Sequence, residues 1–218
     1  MDGDAERSKS GLDDPRAVDI LTTEHWSLLS TRSVGYEEMF GRTTIFVAIL
    51  SGIVIALALL AQATHFGRET LLIALLLMAV ALFIGLTTFV RCVVINLEDA
   101  RCVAGMTLLR RAYLQIVPEL EPFLLAADPL AQAPRALAHG THQRFGNLVK
   151  SLTTTSSVVA TLNSVLAGSL ASDGCALLHQ TLLVVILAGA AVSIASALLH
   201  VSYAARFRER QRPMDTPR

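Results

Sequence analysis

Residues 44–63 read T-I-F-V-A-I-L-S-G-I-V-I-A-L-A-L-L-A-Q-A, twenty positions without one charged side chain. At about 1.5 Å of rise per residue, a helix of that length covers the roughly 30 Å hydrocarbon core of a bilayer. Residues 70–90 form a second such block, and only T-H-F-G-R-E separates the two. So short a connector makes them antiparallel neighbours, a transmembrane hairpin.

Working outward, residues 151–172 (S-L-T-T-T-S-S-V-V-A-T-L-N-S-V-L-A-G-S-L-A-S) are uncharged but crowded with Ser and Thr, and residues 181–203 are strongly apolar. The short link between them predicts a second hairpin, since open-ended structures in lipid satisfy their backbone groups only as helices. The expected fold is all-α and polytopic, with four transmembrane helices in two hairpins and a long cytoplasmic helical stem. Its organisation is a cytoplasmic segment with an amphipathic helix (1–42), hairpin one (43–93), stem and loop (94–150), hairpin two (151–204) and a basic tail (205–218). The first apolar block starts after about 40 polar residues, too late for a secretory signal peptide, so the chain is expected to insert through its own helices.

The 218-residue chain is 53% hydrophobic and 17% charged, with a mean hydropathy of +0.54, outside the soluble balance. Its formal net charge of zero argues against a nucleic-acid binder. Of its 18 Lys and Arg residues, Arg68 alone falls at a hairpin tip; the other seventeen lie in the N-terminal segment, the long loop and the tail. The positive-inside rule then puts both termini and the loop in the cytoplasm. Lys9 and Lys150 are the only lysines. With the Ala-rich composition, that preference for Arg points to a GC-rich bacterial genome and to the bacterial inner membrane.

Cys92, Cys102 and Cys175 are odd in number and scattered, with no C-x-x-C spacing, so neither a disulfide framework nor a zinc site is expected. His139 and His142 stand three apart but fall short of the ligands zinc needs. A nucleophile elbow, a glycine-rich phosphate loop and an H-E-x-x-H helix are all missing from the sequence, and Glu24-His25 has no support as an acid and base pair. The expectation is no enzyme, no catalytic residue, no metal and no cofactor.

Outside the spans, Asp14-Pro15 suits a helix start. From there Val18, Leu21, His25, Leu28 or Leu29, Arg32, Tyr36 and Met39 or Phe40 keep helical spacing into the first span. Trp26, the only tryptophan, together with Arg206, Arg208 and Arg210 of the tail, suits an interfacial anchor. The tail cluster also suits anionic lipid headgroups. After residue 90 the helical pattern continues without proline as far as Pro118, predicting one rod from span to stem. The stem's apolar face (Ile95, Cys102 or Val103, Met106, Leu109, Tyr113, Val117) needs a partner, either the N-terminal helix or another subunit's stem.

The third span carries a polar stripe: Lys150, Thr153 or Thr154, Ser157, Thr161, Ser164, Gly168 and Ser172. It suits two roles, lining a water-filled path or packing closely on another helix through the small-x-x-x-small spacing. Ala48, Gly52 and Ala56, and Gly189, Ser193 and Ala197, form similar ladders.

The strings L-T-T-E-H-W-S-L-L-S-T-R-S (21–33) and G-M-T-L-L-R-R-A-Y-L-Q-I-V-P-E-L-E-P (105–122) resemble those of a family of uncharacterised actinobacterial four-helix membrane proteins. That resemblance extends over most of the chain up to Phe123 and implies layout alone. A tight hairpin followed by a long cytoplasmic helix is also similar to SLATT-type membrane proteins, proposed pore-forming effectors, although a second hairpin departs from their simplest form. The first functional reading is a homo-oligomeric ion channel or pore with the third span nearest its axis. The alternative is a non-conducting scaffold or sensor acting through its cytoplasmic helices, and a membrane enzyme ranks third.

Overall fold

The computed structural model describes residues 12, 14–65, 67–124 and 154–211, without the side chains of 123 and 208–211. Every described element is helical: α1 (Ala17–Ala63), α2 (Arg68–Ile116), a 3-10 turn (Pro118–Phe123), α3 (Thr155–Leu177) and α4 (Leu182–Gln211). Asp14 supplies the start of α1. Its Oδ1 accepts the Arg16 N–H at 2.8 Å and its carbonyl accepts the Ala17 N–H at 2.8 Å, meeting donors that a helix N-terminus leaves unpaired. At the far end of α2, Val117 swings to φ −137°, the extended backbone a following proline requires.

Among the described residues, three helices are long and apolar enough to cross a membrane: α1, α2 and, within α4, Leu182–Phe207. This is the make-up of an integral membrane protein. α3, expected as the third of four spans, is not in that set. Neither proline nor a glycine pair interrupts residues 68–116, and α2 is correspondingly a single helix from span into stem.

Both short connectors turn through a histidine in the left-handed region, His65 at φ 51° and His179 at φ 55°. In the first, the Thr70 N–H donates to the Gly67 carbonyl at 3.1 Å, and the Thr64 and Thr70 hydroxyls bond to each other. The second connector is shorter than the sequence suggests. α3 continues through Leu177, so Asp173, expected in the loop, is helical.

The chain forms two compact units, Met1–Glu37 with Asn96–Leu148, and Glu38–Ile95 with Val149–Arg218. In the first, the early turns of α1 pack on the late turns of α2. Arg32 Nε donates to Asp99 Oδ1 at 2.6 Å, the Tyr36 hydroxyl donates to Asp99 Oδ2 at 3.1 Å, and Leu28 lies against Gly105. His25 and Tyr113 approach with ring centroids 6.5 Å apart. The stem's apolar face thus finds the N-terminal helix, with Cys102 and Met106 buried. Of the paired alternatives, Leu28 and Met39 turn inward, while Leu29 and Phe40 are exposed.

In the second unit all four helices contribute to one core: Phe46 from α1, Ala81, Phe89 and Val93 from α2, and Val159 and Leu166 from α3. Ala204 and Phe207 of α4 pack against them.

Candidate functional site in the four-helix unit

The polar stripe divides along α3. At its start, the Ser157 and Thr154 hydroxyls share a bond of 2.8 Å, and the exposed Thr161 hydroxyl donates to the Ser157 carbonyl at 2.9 Å. Ser164 is buried, its hydroxyl turned back onto the Ala160 carbonyl at 2.7 Å. Farther along, the stripe becomes a helix–helix seam. Ser172 donates to the Val185 carbonyl of α4 at 3.2 Å. A methyl group on Gly168 would overlap the Ser193 hydroxyl and stand 2.6 Å from the Gly189 carbonyl. One on Gly189 would overlap Ser172 Oγ and meet the Gly168 carbonyl at 3.1 Å. Here the small-residue spacing serves close backbone approach. Lys150 and Thr153 lie outside the described residues, as do His139 and His142.

The face of α3 turned into the core lies beside the stripe and includes Ser156, Val159, Asn163 and Leu166. Asn163 is fully buried. Neither its Oδ1 nor its Nδ2 has a hydrogen-bond partner among the described residues. It fits because α2 has Gly85 opposite: a methyl group there would overlap Asn163 Oδ1 and come within 2.8 Å of Phe46 Cζ. Sequence reasoning missed this residue, although it is the only asparagine inside an apolar block.

A recess of about 450 Å³ adjoins the seam, lined by Asp173, Ser169, Ser172 and Ser193 with Met78 of α2. Asp173 Oδ2 is buried there without a hydrogen-bond partner among the described residues. A larger groove of about 600 Å³ runs between α2 and α4 with Ala167 of α3 also lining it. His200 lines this groove and packs edge-on against Phe89, ring centroids 4.5 Å apart.

An ionic cluster joins α1 and α2 just outside their apolar blocks. Arg91 grips Glu38 with both arms, Nε to Oε1 at 2.9 Å and Nη2 to Oε2 at 2.7 Å, and Arg42 Nε adds a third bond to Oε1 at 2.8 Å. The two guanidiniums, Arg91 foremost, lower the Glu38 pKa from 4.5 to about 2. In the other unit, the Asp99 carboxylate raises the Arg32 pKa above its ordinary value. Of the expected anchors, Trp26 and Arg206 are exposed, and the side chains of Arg208 and Arg210 are outside the description. No group of three or more His, Cys, Asp or Glu side chains among the described residues is arranged to hold a metal ion. No protein-family model, curated protein or solved structure matches the chain.

Proposed function

We propose that the protein is a four-span bacterial membrane scaffold or sensor whose N-terminal helix and stem, in the cytoplasm, present a docking surface. One observation carries this reading. In the unit formed by Met1–Glu37 and Asn96–Leu148, Ile20, Trp26, Val34 and Leu108 are each more than 60% exposed, although these segments lie outside the apolar blocks. Large apolar side chains exposed to water favour association. α3 completes the four spans. It is less apolar than its neighbours because much of its surface faces protein: Ser164 and Gly168 are buried and Ser172 bonds to α4. The basic tail anchors the chain at anionic headgroups.

A homo-oligomeric channel or pore, as in the layout of SLATT-type proteins, is the second reading. It is favoured by the exposure of Thr161 and the half-exposure of Ser157. Farther along α3 the stripe turns to packing at Ser164, Gly168 and Ser172, where the pore reading has it face a hydrated path.

Full-length protein reconstituted in planar bilayers and photo-crosslinked in cells from position 26 separates the two. The scaffold reading expects silence across voltages and discrete protein adducts from position 26, with none from Leu59 inside the first apolar block. Conductance that Thr161→Leu abolishes would replace it with the pore.

A further inference from the structure

We propose that the groove between α2 and α4 is a site for one anionic glycerophospholipid, its phosphate at Arg206 and one acyl chain along Leu86 and Leu82. The site is independent of whether the protein scaffolds or conducts. Its volume of about 600 Å³ falls within the ~300–1,000 Å³ of small-molecule sites. The polarity of its lining is graded. Arg206, Ser202 and Tyr203 line one end, His200 and Ser196 follow, and Leu82, Leu86 and Ala167 complete an apolar remainder. Arg206 lies six helical steps from His200, about 9 Å of depth. That order of cation, hydrogen-bonding groups and hydrocarbon matches phosphate, glycerol ester and acyl chain.

His200 is the second, independent sign of an occupant. It is only 7% exposed, and its Nδ1–H donates to the Ser196 carbonyl at 2.7 Å. Nε2 is buried with no hydrogen-bond partner among the described residues. A buried polar nitrogen without a partner is costly, and ionisable groups in apolar helices mark sites. The glycerol-ester region of a lipid supplies ester oxygens for the protonated ring and ordered water for the neutral one. Charge selects the headgroup: among the described residues, Arg206 lines the groove and no acidic side chain does. A phosphate without a compensating amine therefore suits it best.

The test uses full-length protein in nanodiscs that contain, at equal mole fraction, a phosphatidylglycerol or a phosphatidylcholine with the same diazirine-bearing chain. Adducts are mapped by mass spectrometry. Phosphatidylglycerol adducts are expected on Leu82, Leu86 and Leu199, exceeding those of phosphatidylcholine about fivefold, the effect of one basic residue near an anionic lipid. Arg206→Gln should erase the excess. Ala167→Phe, which obstructs the groove, should lower labelling by both lipids at unchanged helicity; Leu199→Trp serves if that variant does not fold. Equal labelling by the two lipids, an excess that survives Arg206→Gln, or adducts spread evenly onto the exposed Ile55 and Leu59 of α1 would overturn the proposal.

Discussion

Asn163 and Gly85 are complementary: a carboxamide occupies the space that a missing side chain leaves on α2, with Phe46 beside it. Adding one methyl group at Gly85 forces the amide, the phenyl ring or both helices to move. Gly85→Ala should cost about 1–3 kcal/mol, the usual penalty for overpacking. Combining it with Asn163→Ala should recover much of that loss, because the clashing atoms are gone; thermal unfolding of the four proteins in one detergent checks the cycle. A double variant no more stable than Gly85→Ala would mean that Phe46 sets the limit. Little of this pair was legible in the sequence. Helical spacing placed Ser157, Thr161 and Ser164 on one stripe, and Asn163, about 100° around the helix from Ser164, fell off it. A polar residue's neighbours across the core are set by packing, which a single sequence does not state.

The elements were far more legible, for simple physical reasons. A charge-free run longer than 18 residues has few alternatives to a membrane helix, and α2 continues through Arg91–Asn96 because nothing there breaks a helix. The end of α3 was not readable, because Asp173-Gly174 looks like a turn while the helix runs on to Leu177. Between α1 and α2, the ionic cluster has a definite pH signature. Glu38 is bound to Arg91 and Arg42 in the folded state with its pKa lowered from 4.5 to about 2. Its contribution is therefore present in full above pH 4.5 and is lost as pH falls toward 2. Stability should decline across that window in the wild type, and Glu38→Gln should remove this part of the decline. Acid titration of the melting temperature for both proteins makes the comparison, and parallel curves would show that the cluster does not contribute.

For the whole molecule, the partition of Lys and Arg predicts a topology, and the packing of α3 adds a constraint on how that topology is reached. Among the described residues, three helices are long and apolar enough to enter a bilayer; α3 enters, on the four-span reading, only with its polar side covered. The cover is α4, through Gly168, Ser172, Gly189 and Ser193, and α4 is the later of the two in the chain. The seam therefore bears on biogenesis as well as on packing. On that reading, α3 is expected to wait at the translocon or the membrane surface during synthesis until its partner emerges, the two then crossing together. A chain truncated after residue 180 should leave α3 uninserted, and restoring α4 should rescue it, as read by glycosylation of an acceptor site placed in the second connector. Full insertion of the truncated chain would show that α3 needs no such partner. By the same logic, bulky substitutions at Gly168 or Gly189 should act before any folded protein exists, lowering the yield of inserted chains more than the stability of those that succeed.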